Sequence, residues 1–409
     1  MNTATITNRR LATYANPLSG NTSSSSFVTI TEHDASTREQ NSLYTDVIPE
    51  LNCSEHVPYF RVGPTGCPVV VLSVGSEARR ILQTSTCAQV LAVFQSSFYV
   101  QNEQGIFCVG LASLGRGPLQ IQVDSESDSL FDEVVSGGTV EFTSLHATLR
   151  SDYTGLKSCA ENASYEPVRY FSERTRQVLN RCKAPTASGF GWLVSEHTVE
   201  HAPDGLAQAS SGFESLDAID RGLRLQCFPA LRLLDSWLVS ELSSAAEQLD
   251  TDAESGSEKA NEVEQHITEH PPLDIRMLLG AGPGLTPSGD DLLAGVLLML
   301  HRTGYLSQAQ ALWHLLEPSL VQRTNVISGA HLRQAAHAQC AETMMRVLDQ
   351  LTALEMPDSP VAGNANKDIH STAQHVCASV SSIGSLSGWD TLAGMSLVMR
   401  ALLQQNVSN

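Results

Sequence analysis

Two stretches of the chain carry the same eight-residue pattern of side chains that could do chemistry. The first runs from Ser288 to Gly295 and the second from Ser387 to Gly394, and both read Ser-Gly-x-Asp-x-Leu-Ala-Gly. Each copy leads into an apolar run that predicts a helix, over 292–301 and 392–403. A helix start offers unpaired backbone N–H groups and a partial positive charge, which suit a small anion. The repeat therefore predicts a small-anion site between two related helix starts.

The groups around the two copies are hydrogen-bond donors and carboxylates. The predicted substrate-binding residues carry backbone N–H or hydroxyl groups at the two helix starts: Gly284, Thr286, Ser288, Gly289, Ser387 and Gly388. The predicted catalytic residues are the carboxylates beside them: Asp290, Asp291 and Asp390. Because carboxylates repel a phosphate, we expect the donors to contact the anion while the aspartates face an amide or accept a proton. The alternative is ordinary helix capping by Ser or Asp, without any ligand.

A third polar segment contains Thr324, Ser328 and His331. Their spacing of four and three residues predicts one shared helical face, and we assign Thr324 and Ser328 to the substrate-binding set. In the alternative interpretation the two hydroxyls bond back to preceding carbonyls and His331 lines an amphipathic helix. Arg323 and Arg333 flank the segment and can supply positive charge, or they are solvated surface residues.

Composition limits the function classes. The chain has 409 residues, of which 42% are hydrophobic, so it can form two or three domains with a sizeable core. A net charge of −19 argues against nucleic-acid binding. Nine scattered cysteines without a C-x-x-C pair predict reduced thiols, and no apolar run is long enough to span a membrane, so we expect a cytoplasmic protein that binds no membrane. No metal-ligand spacing, dinucleotide fingerprint or nucleophile elbow is present, and we predict no metal and no cofactor.

The pattern along the chain predicts an α+β fold, with a β-rich N-terminal domain followed by a mainly helical C-terminal domain. Short alternating runs between turn signals, such as 119–123, predict strands, and apolar residues at helical spacing dominate later segments. The predicted parts are a mobile Ser/Thr-rich tail over 1–54, a β-rich domain over 55–160, a helical segment over 161–249, an acidic linker over 250–271 and a helical domain over 272–409. Within them we expect a loop or strand at 188–193 and a second polar linker at 356–376.

The motifs of the helical domain resemble those of a bacterial family long catalogued as a domain of unknown function. The matching residues are Gly282-x-Gly284-Leu285-Thr286-Pro287-Ser288-Gly289-Asp290-Asp291-x-Leu293-Ala294-Gly295, Thr324-x-x-x-Ser328 and Gly384-x-x-Ser387-Gly388-x-Asp390. The resemblance runs over about residues 60–405, apart from the N-terminal tail and the segments 250–271 and 356–376. The family includes a subunit of the oxamate carbamoyltransferase of anaerobic allantoin degradation.

The resemblance implies a multi-subunit enzyme that converts oxalurate and phosphate into oxamate and carbamoyl phosphate, with other carbamoyltransferase subunits as partners and a small anion as substrate. Fixed N–H and hydroxyl groups would stabilise the anionic tetrahedral intermediate of such a transfer. A second interpretation is a non-catalytic subunit that binds or senses a small carboxylate or amide while its partner carries the chemistry. A third is a purely structural helical scaffold, in which changes at Ser288 and Asp290 alter stability but no binding.

Overall fold

The computed structural model of the chain describes residues 59–62, 67–124, 130–142, 173–184, 189–195, 218–254, 270–352 and 365–404. The predicted tail over 1–54 and most of the predicted acidic linker over 250–271 lie outside the described residues. The described strands and helices belong to one compact unit, which spans Cys53–Asn409. Among these residues no helix is both long and apolar enough to cross a membrane.

The N-terminal part of the described chain is a small β-barrel. Its strands are β1 (Tyr59–Val62), β2 (Cys67–Val74), β3 (Cys87–Val93), β4 (Ser97–Asn102), β5 (Gly105–Leu111), β6 (Gln120–Val123) and β7 (Thr139–Glu141). They pair in the order β1-β2-β6-β5-β4-β3-β7, and the pairing of β1 with β7 closes the sheet. Neighbours are antiparallel except β5 and β6, which are parallel. Two short helices, α1 (Ser76–Leu82) and α2 (Leu130–Glu133), accompany the barrel.

Aromatic side chains fill the barrel interior. The rings of Phe60 and Phe107 lie 5.0 Å and 5.2 Å from the ring of Phe142, and all three side chains are fully buried. Along β6 the predicted alternation points Ile121 inwards, but Gln122 is buried as well. Its amide is satisfied, because Ser73 Oγ donates to Oε1 at 2.6 Å and Nε2 donates to a backbone carbonyl at 3.2 Å.

Helices make up the rest of the described chain, which confirms the predicted α+β class. They are α3 (Glu173–Arg181), α4 (Trp192–Ser195), α5 (Ala218–Glu254), α6 (Ser288–Arg302), α7 (Leu306–Leu316), α8 (Leu320–Arg323), α9 (Val326–Ala336), α10 (Glu342–Thr352), α11 (Ala365–Ser381) and α12 (Ser387–Gln404), with short 3₁₀ turns at Ala112–Leu114, Leu273–Leu278 and Glu317–Ser319.

Three local predictions need correction. In the segment expected as a loop or strand at 188–193, the described residues 189–191 form a turn, and residues 192–193 are helical because α4 begins at Trp192. Residues 250–254, expected to belong to the acidic linker, are helical because α5 continues to Glu254. The linker expected over 356–376 is helical from Ala365, since Ile369, Ala373, Val376 and Val380 form a buried stripe at helical spacing that outweighs the polar residues between them.

Helices α6 and α12 cross at the centre of the helical core. A Cβ on Gly295 of α6 would overlap the carbonyl oxygen of Thr391, and a Cβ on Gly394 of α12 would overlap that of Leu292. Gly295 and Gly394 are the last residues of the two repeat copies, and Leu292 and Thr391 occupy the same position within them. The contacts are therefore reciprocal, and the repeat encodes a close crossing of two related helices.

The barrel packs against the helices on the side of strands β3 to β6. Ile106 and Leu119 of the barrel form one apolar cluster with Ile327 and Ala330 of α9, and Leu285 of the loop before α6 packs against it. Beside this cluster, Arg116 Nε donates to Glu342 Oε2 of α10 at 2.9 Å. This arrangement brings one face of the barrel next to the first repeat copy.

Candidate functional site

Both repeat copies lie within helices rather than before them. Ser288 is the first residue of α6 and Ser387 is the first residue of α12, so each Ser-Gly-x-Asp forms a first helical turn. The glycine in second place of each copy lies against a carbonyl oxygen of the preceding segment, where a Cβ would not fit. The capping alternative does not explain α6, because its N-cap residue is Pro287 and no side chain caps it.

Several backbone N–H groups at these helix starts already have partners inside the chain. Gly289 N donates to Ala281 O at 2.8 Å, and Asp290 N donates to Pro287 O at 2.9 Å. In the second copy Gly388 N donates to Ile383 O at 3.1 Å. The predicted contact of Gly289 and Gly388 N–H groups with an anion would therefore have to replace bonds that fold the two loops. Gly284 is different, because it lies in the exposed loop with open space beside its Cα.

Asp290 joins three segments around the first copy. Its side chain is 2% exposed, and Gly280 N donates to its Oδ1 at 2.8 Å. Ser328 Oγ donates to its Oδ2 at 2.6 Å, and Thr324 Oγ1 donates to the same oxygen. Burial raises the pKa of Asp290, and these three donors oppose that rise. Both oxygens are engaged, so the geometry suits positioning of the two loops better than proton transfer.

The same contacts correct the expectation for the third polar segment. Thr324 has extended backbone and precedes α9, whose N-cap is Asn325, so Thr324 does not share a helical face with Ser328. The two hydroxyls nevertheless meet at Asp290. They donate to that carboxylate, whereas the alternative interpretation had them bond to preceding carbonyls.

Asp390 occupies the aspartate position of the second copy. It is 1% exposed, and Phe190 N donates to its Oδ1 at 2.5 Å. Its Oδ2 is buried and has no hydrogen-bond partner among the described residues. Burial raises the pKa of Asp390 to about 6, although the Ser288 hydroxyl and backbone N–H groups of the 190–191 turn favour its charged form.

Asp291 occupies the equivalent position in the first copy. Its Oδ2 is also buried without a partner among the described residues. Burial raises its pKa well above the usual range, the nearby charges of Asp390 and Asp290 add to this, and the hydroxyls of Ser387 and Thr286 oppose it. Those two hydroxyls lie 2.8 Å apart, Oγ to Oγ1. Each repeat aspartate therefore lies beside the serine that begins the other helix.

The barrel adds a tyrosine to this site. Tyr99 Oη of β4 lies 2.9 Å from His331 Nε2 of α9, and the two rings meet edge to face. Burial lowers the pKa of His331 to about 4, so the ring is neutral near pH 7. Burial raises the pKa of Tyr99, and the neighbouring Cys108 and the charge of Asp291 raise it further. Sequence reasoning missed Tyr99, because a tyrosine in an alternating strand carries no signal of what lies opposite it.

The three predicted catalytic carboxylates thus lie together with the five predicted hydroxyls, those of Thr286, Ser288, Thr324, Ser328 and Ser387. Asp291 and Asp390 each keep one carboxyl oxygen that accepts no hydrogen bond from the residues the structure describes. Buried carboxyl groups with raised pKa values can accept hydrogen bonds from an amide or exchange a proton near neutral pH. Among the described residues no group of three or more His, Cys, Asp or Glu side chains is placed to hold a metal ion.

A β-barrel joined to a helical core, with a buried polar site at two repeated helix starts, is the class of protein that the fold and site define. Residues 278–399 match the family model described as oxamate carbamoyltransferase subunit AllH, which confirms the predicted resemblance over this segment. The match contains both repeat copies but is shorter than the resemblance expected over 60–405. No curated protein and no solved structure matches the chain significantly.

Proposed function

We propose that this chain is a subunit of a carbamoyltransferase similar to oxamate carbamoyltransferase, and that the site between α6 and α12 holds the amide end of oxalurate or oxamate. The observation that carries the proposal is the pair of buried carboxyl oxygens on Asp291 and Asp390 for which the described part of the chain supplies no hydrogen-bond partner. A buried acceptor without a donor costs free energy, about 1–3 kcal/mol each. A ligand with two N–H donors on one nitrogen removes that cost, and a primary amide is such a ligand.

Asp390 suits the proton transfer that the reaction requires. In oxalurate phosphorolysis a phosphate oxygen attacks the carbamoyl carbon, the carbon–nitrogen bond breaks, and the leaving nitrogen of oxamate takes up a proton. A carboxyl group whose pKa is about 6 is partly protonated near neutral pH and can donate that proton. The hydroxyls of Thr286 and Ser387 would donate to the oxyanion of the tetrahedral intermediate.

One observation favours a second candidate, a subunit that binds the amide while its partner carries the phosphate. Besides burial, the described groups that shift the pKa values of the three carboxylates are hydroxyls, backbone N–H groups and other carboxylates. Three neighbouring carboxyl groups repel a phosphate, because like charges a few ångströms apart disfavour each other. The AllH description as a subunit fits both candidates, since each expects other carbamoyltransferase subunits as partners.

Binding is tested first on the full chain by isothermal titration calorimetry with oxamate, oxalurate, phosphate and carbamoyl phosphate. We expect oxamate or oxalurate to bind the wild type, and Asp291→Asn to weaken binding at least tenfold. The control Asp274→Asn alters an exposed carboxylate in the Leu273–Leu278 turn and should bind like the wild type. Unchanged binding by Asp291→Asn, or equal weakening in the control, would refute the proposed amide site.

Catalysis is tested with the partner subunits added. If this chain supplies the acid, Asp390→Asn still binds oxamate but lowers kcat about a hundredfold, the usual contribution of a general acid. If the partner carries the chemistry, the same variant changes KM and leaves kcat within a few fold. If Asp390→Asn has the kcat and the KM of the wild type, both candidates are contradicted.

A further inference from the structure

Two cysteines far apart in the sequence meet where α3 packs against α11. Cys182 follows α3 and is fully buried, while Cys377 lies on α11 and is half-buried. The Cys182 thiol lies 3.9 Å from the carbonyl oxygen of Ala373, one helical turn before Cys377. The thiols of Cys182 and Cys377 are close enough to shift the pKa of each other, and the backbone of Lys183 also lowers the pKa of Cys377. The Cys377 sulfur therefore lies directly against the backbone that carries Cys182.

The surroundings give the two thiols different reactivity. The neighbouring Cys182 thiol and the Lys183 backbone lower the pKa of Cys377 to about 7, so a good part of it is thiolate near neutral pH. The neighbouring Cys377 thiol and burial raise the pKa of Cys182. The more exposed sulfur is thus the better nucleophile, and the buried one is placed to react only with its neighbour.

We propose that Cys182 and Cys377 are a modification site, a dithiol that small-molecule disulfides such as glutathione disulfide convert into an intramolecular disulfide. The Cys377 thiolate attacks one sulfur of the reagent, whose S–S bond breaks to release one thiolate. The Cys182 thiol then loses its proton and attacks the Cys377 sulfur, which releases the second thiolate. The protein loses two electrons and two protons, and the reagent is reduced to two thiols.

The bond would connect two segments that deliver groups to the candidate site. Cys182 is followed by the turn whose Phe190 N–H donates to Asp390, and α11 leads into α12, which carries Asp390 itself. A covalent link between these segments restricts the unfolded chain and holds both sides of that hydrogen bond together. The inference does not depend on the proposed carbamoyl transfer.

The full-length chain is incubated with glutathione disulfide, its remaining thiols are alkylated, and its peptides are mapped by mass spectrometry. We expect a Cys182–Cys377 linked pair that is two hydrogens lighter than the two thiol peptides together, and a higher midpoint of thermal unfolding than in the reduced chain. Cys182→Ser should accumulate a stable mixed disulfide with glutathione at Cys377, because no neighbouring thiol displaces it. Cys377→Ser should leave Cys182 unmodified.

The matched control is Cys87→Ser, which removes an exposed thiol of β3 and should keep the link. Failure of the folded wild type to form the link would overturn the inference, as would glutathione found only at other cysteines. Equal modification of Cys182 in the wild type and in Cys377→Ser would overturn the proposed order of attack. The wild-type peptide map needs no substitution, so it tests the proposal even if one of the variants does not fold.

Discussion

The crossing of α6 and α12 can be probed by adding one methyl group at Gly394. The new Cβ would overlap the carbonyl oxygen of Leu292, which belongs to the backbone of α6 and cannot rotate away. The helices must therefore move apart, and this movement also separates Asp291 from Ser387 at the helix starts. Gly394→Ala thus tests both the packing and the geometry of the site.

The magnitude follows from two opposed effects. Alanine in a helix interior is more favourable than glycine by about 1 kcal/mol. Overpacking a buried contact costs about 1–3 kcal/mol, and we take the upper end because the obstacle is backbone. We expect Gly394→Ala to lower the free energy of unfolding by about 2 kcal/mol. Gly222→Ala in α5 is the matched control, because that glycine is exposed and no atom lies within 4 Å of an added Cβ. It should raise stability by up to about 1 kcal/mol.

The two variants are compared by urea unfolding, and oxamate binding is measured on each. The double variant Gly295→Ala/Gly394→Ala should lose less stability than the sum of the single variants, because one separation of the helices accommodates both methyl groups. The reasoning would be refuted if Gly394→Ala were as stable as Gly222→Ala, or if the two substitutions at the crossing were simply additive.

Three further outcomes can be measured. Asp290→Ala leaves three donors, one of them the buried Ser328 hydroxyl, without their acceptor and should lower the free energy of unfolding by about 3 kcal/mol. The exposed Asp274→Ala should lower it by less than about 0.5 kcal/mol, and similar losses for both would contradict the anchoring role. Because burial raises the pKa of Asp390 to about 6, above about 3.9 in an unfolded chain, its contribution to stability is complete below pH 4 and is lost as pH rises through 6, by at most about 3 kcal/mol. Asp390→Asn should reduce the slope of unfolding free energy between pH 4 and 7, and the raised pKa values of Asp290 and Asp291 account for the slope that remains. An unchanged slope in Asp390→Asn would contradict the raised pKa of Asp390. Arg116→Ala should lower the free energy of unfolding by under about 1 kcal/mol, and by less in high salt, because the ion pair of Arg116 with Glu342 is largely solvated. A loss above about 2 kcal/mol would contradict this reasoning and show a structural role.

Local periodicity explains what could be predicted from the sequence. The apolar runs after both repeat copies predict α6 and α12, and alternating runs predict the strands of the barrel, because both signals depend on neighbours along the chain. The repeated pattern and the carboxylate side chains also led to Asp291 and Asp390 as candidate site residues. Their roles stay predictions until the binding and turnover experiments are done.

The remaining features depend on contacts between distant segments. The expected helical face of Thr324 and Ser328 was wrong, yet both reach Asp290, because the chain turns between α8 and α9. The approach of Tyr99 to His331 follows from the packing of the barrel on α9, 232 residues apart in sequence. The backbone N–H groups at the starts of α6 and α12 donate to carbonyl oxygens of the preceding loops. These partners depend on how each loop folds back, and sequence spacing does not specify that.

The two repeat copies differ at their third and fifth positions, and the difference at the third position makes the site asymmetric. The third residue is Asp290 in the first copy and Trp389 in the second, which is buried and donates Nε1 to Ser381 Oγ at 3.1 Å. The first copy therefore carries an extra carboxylate beside Asp291, whereas Asp390 faces the N–H of Phe190. Burial raises the pKa of both groups, the charges of Asp390 and Asp290 raise that of Asp291 further, and the Phe190 N–H lowers that of Asp390. Two carboxyl groups in unlike surroundings suit different roles, and in the proposed function Asp291 would bind the amide while Asp390 would exchange the proton.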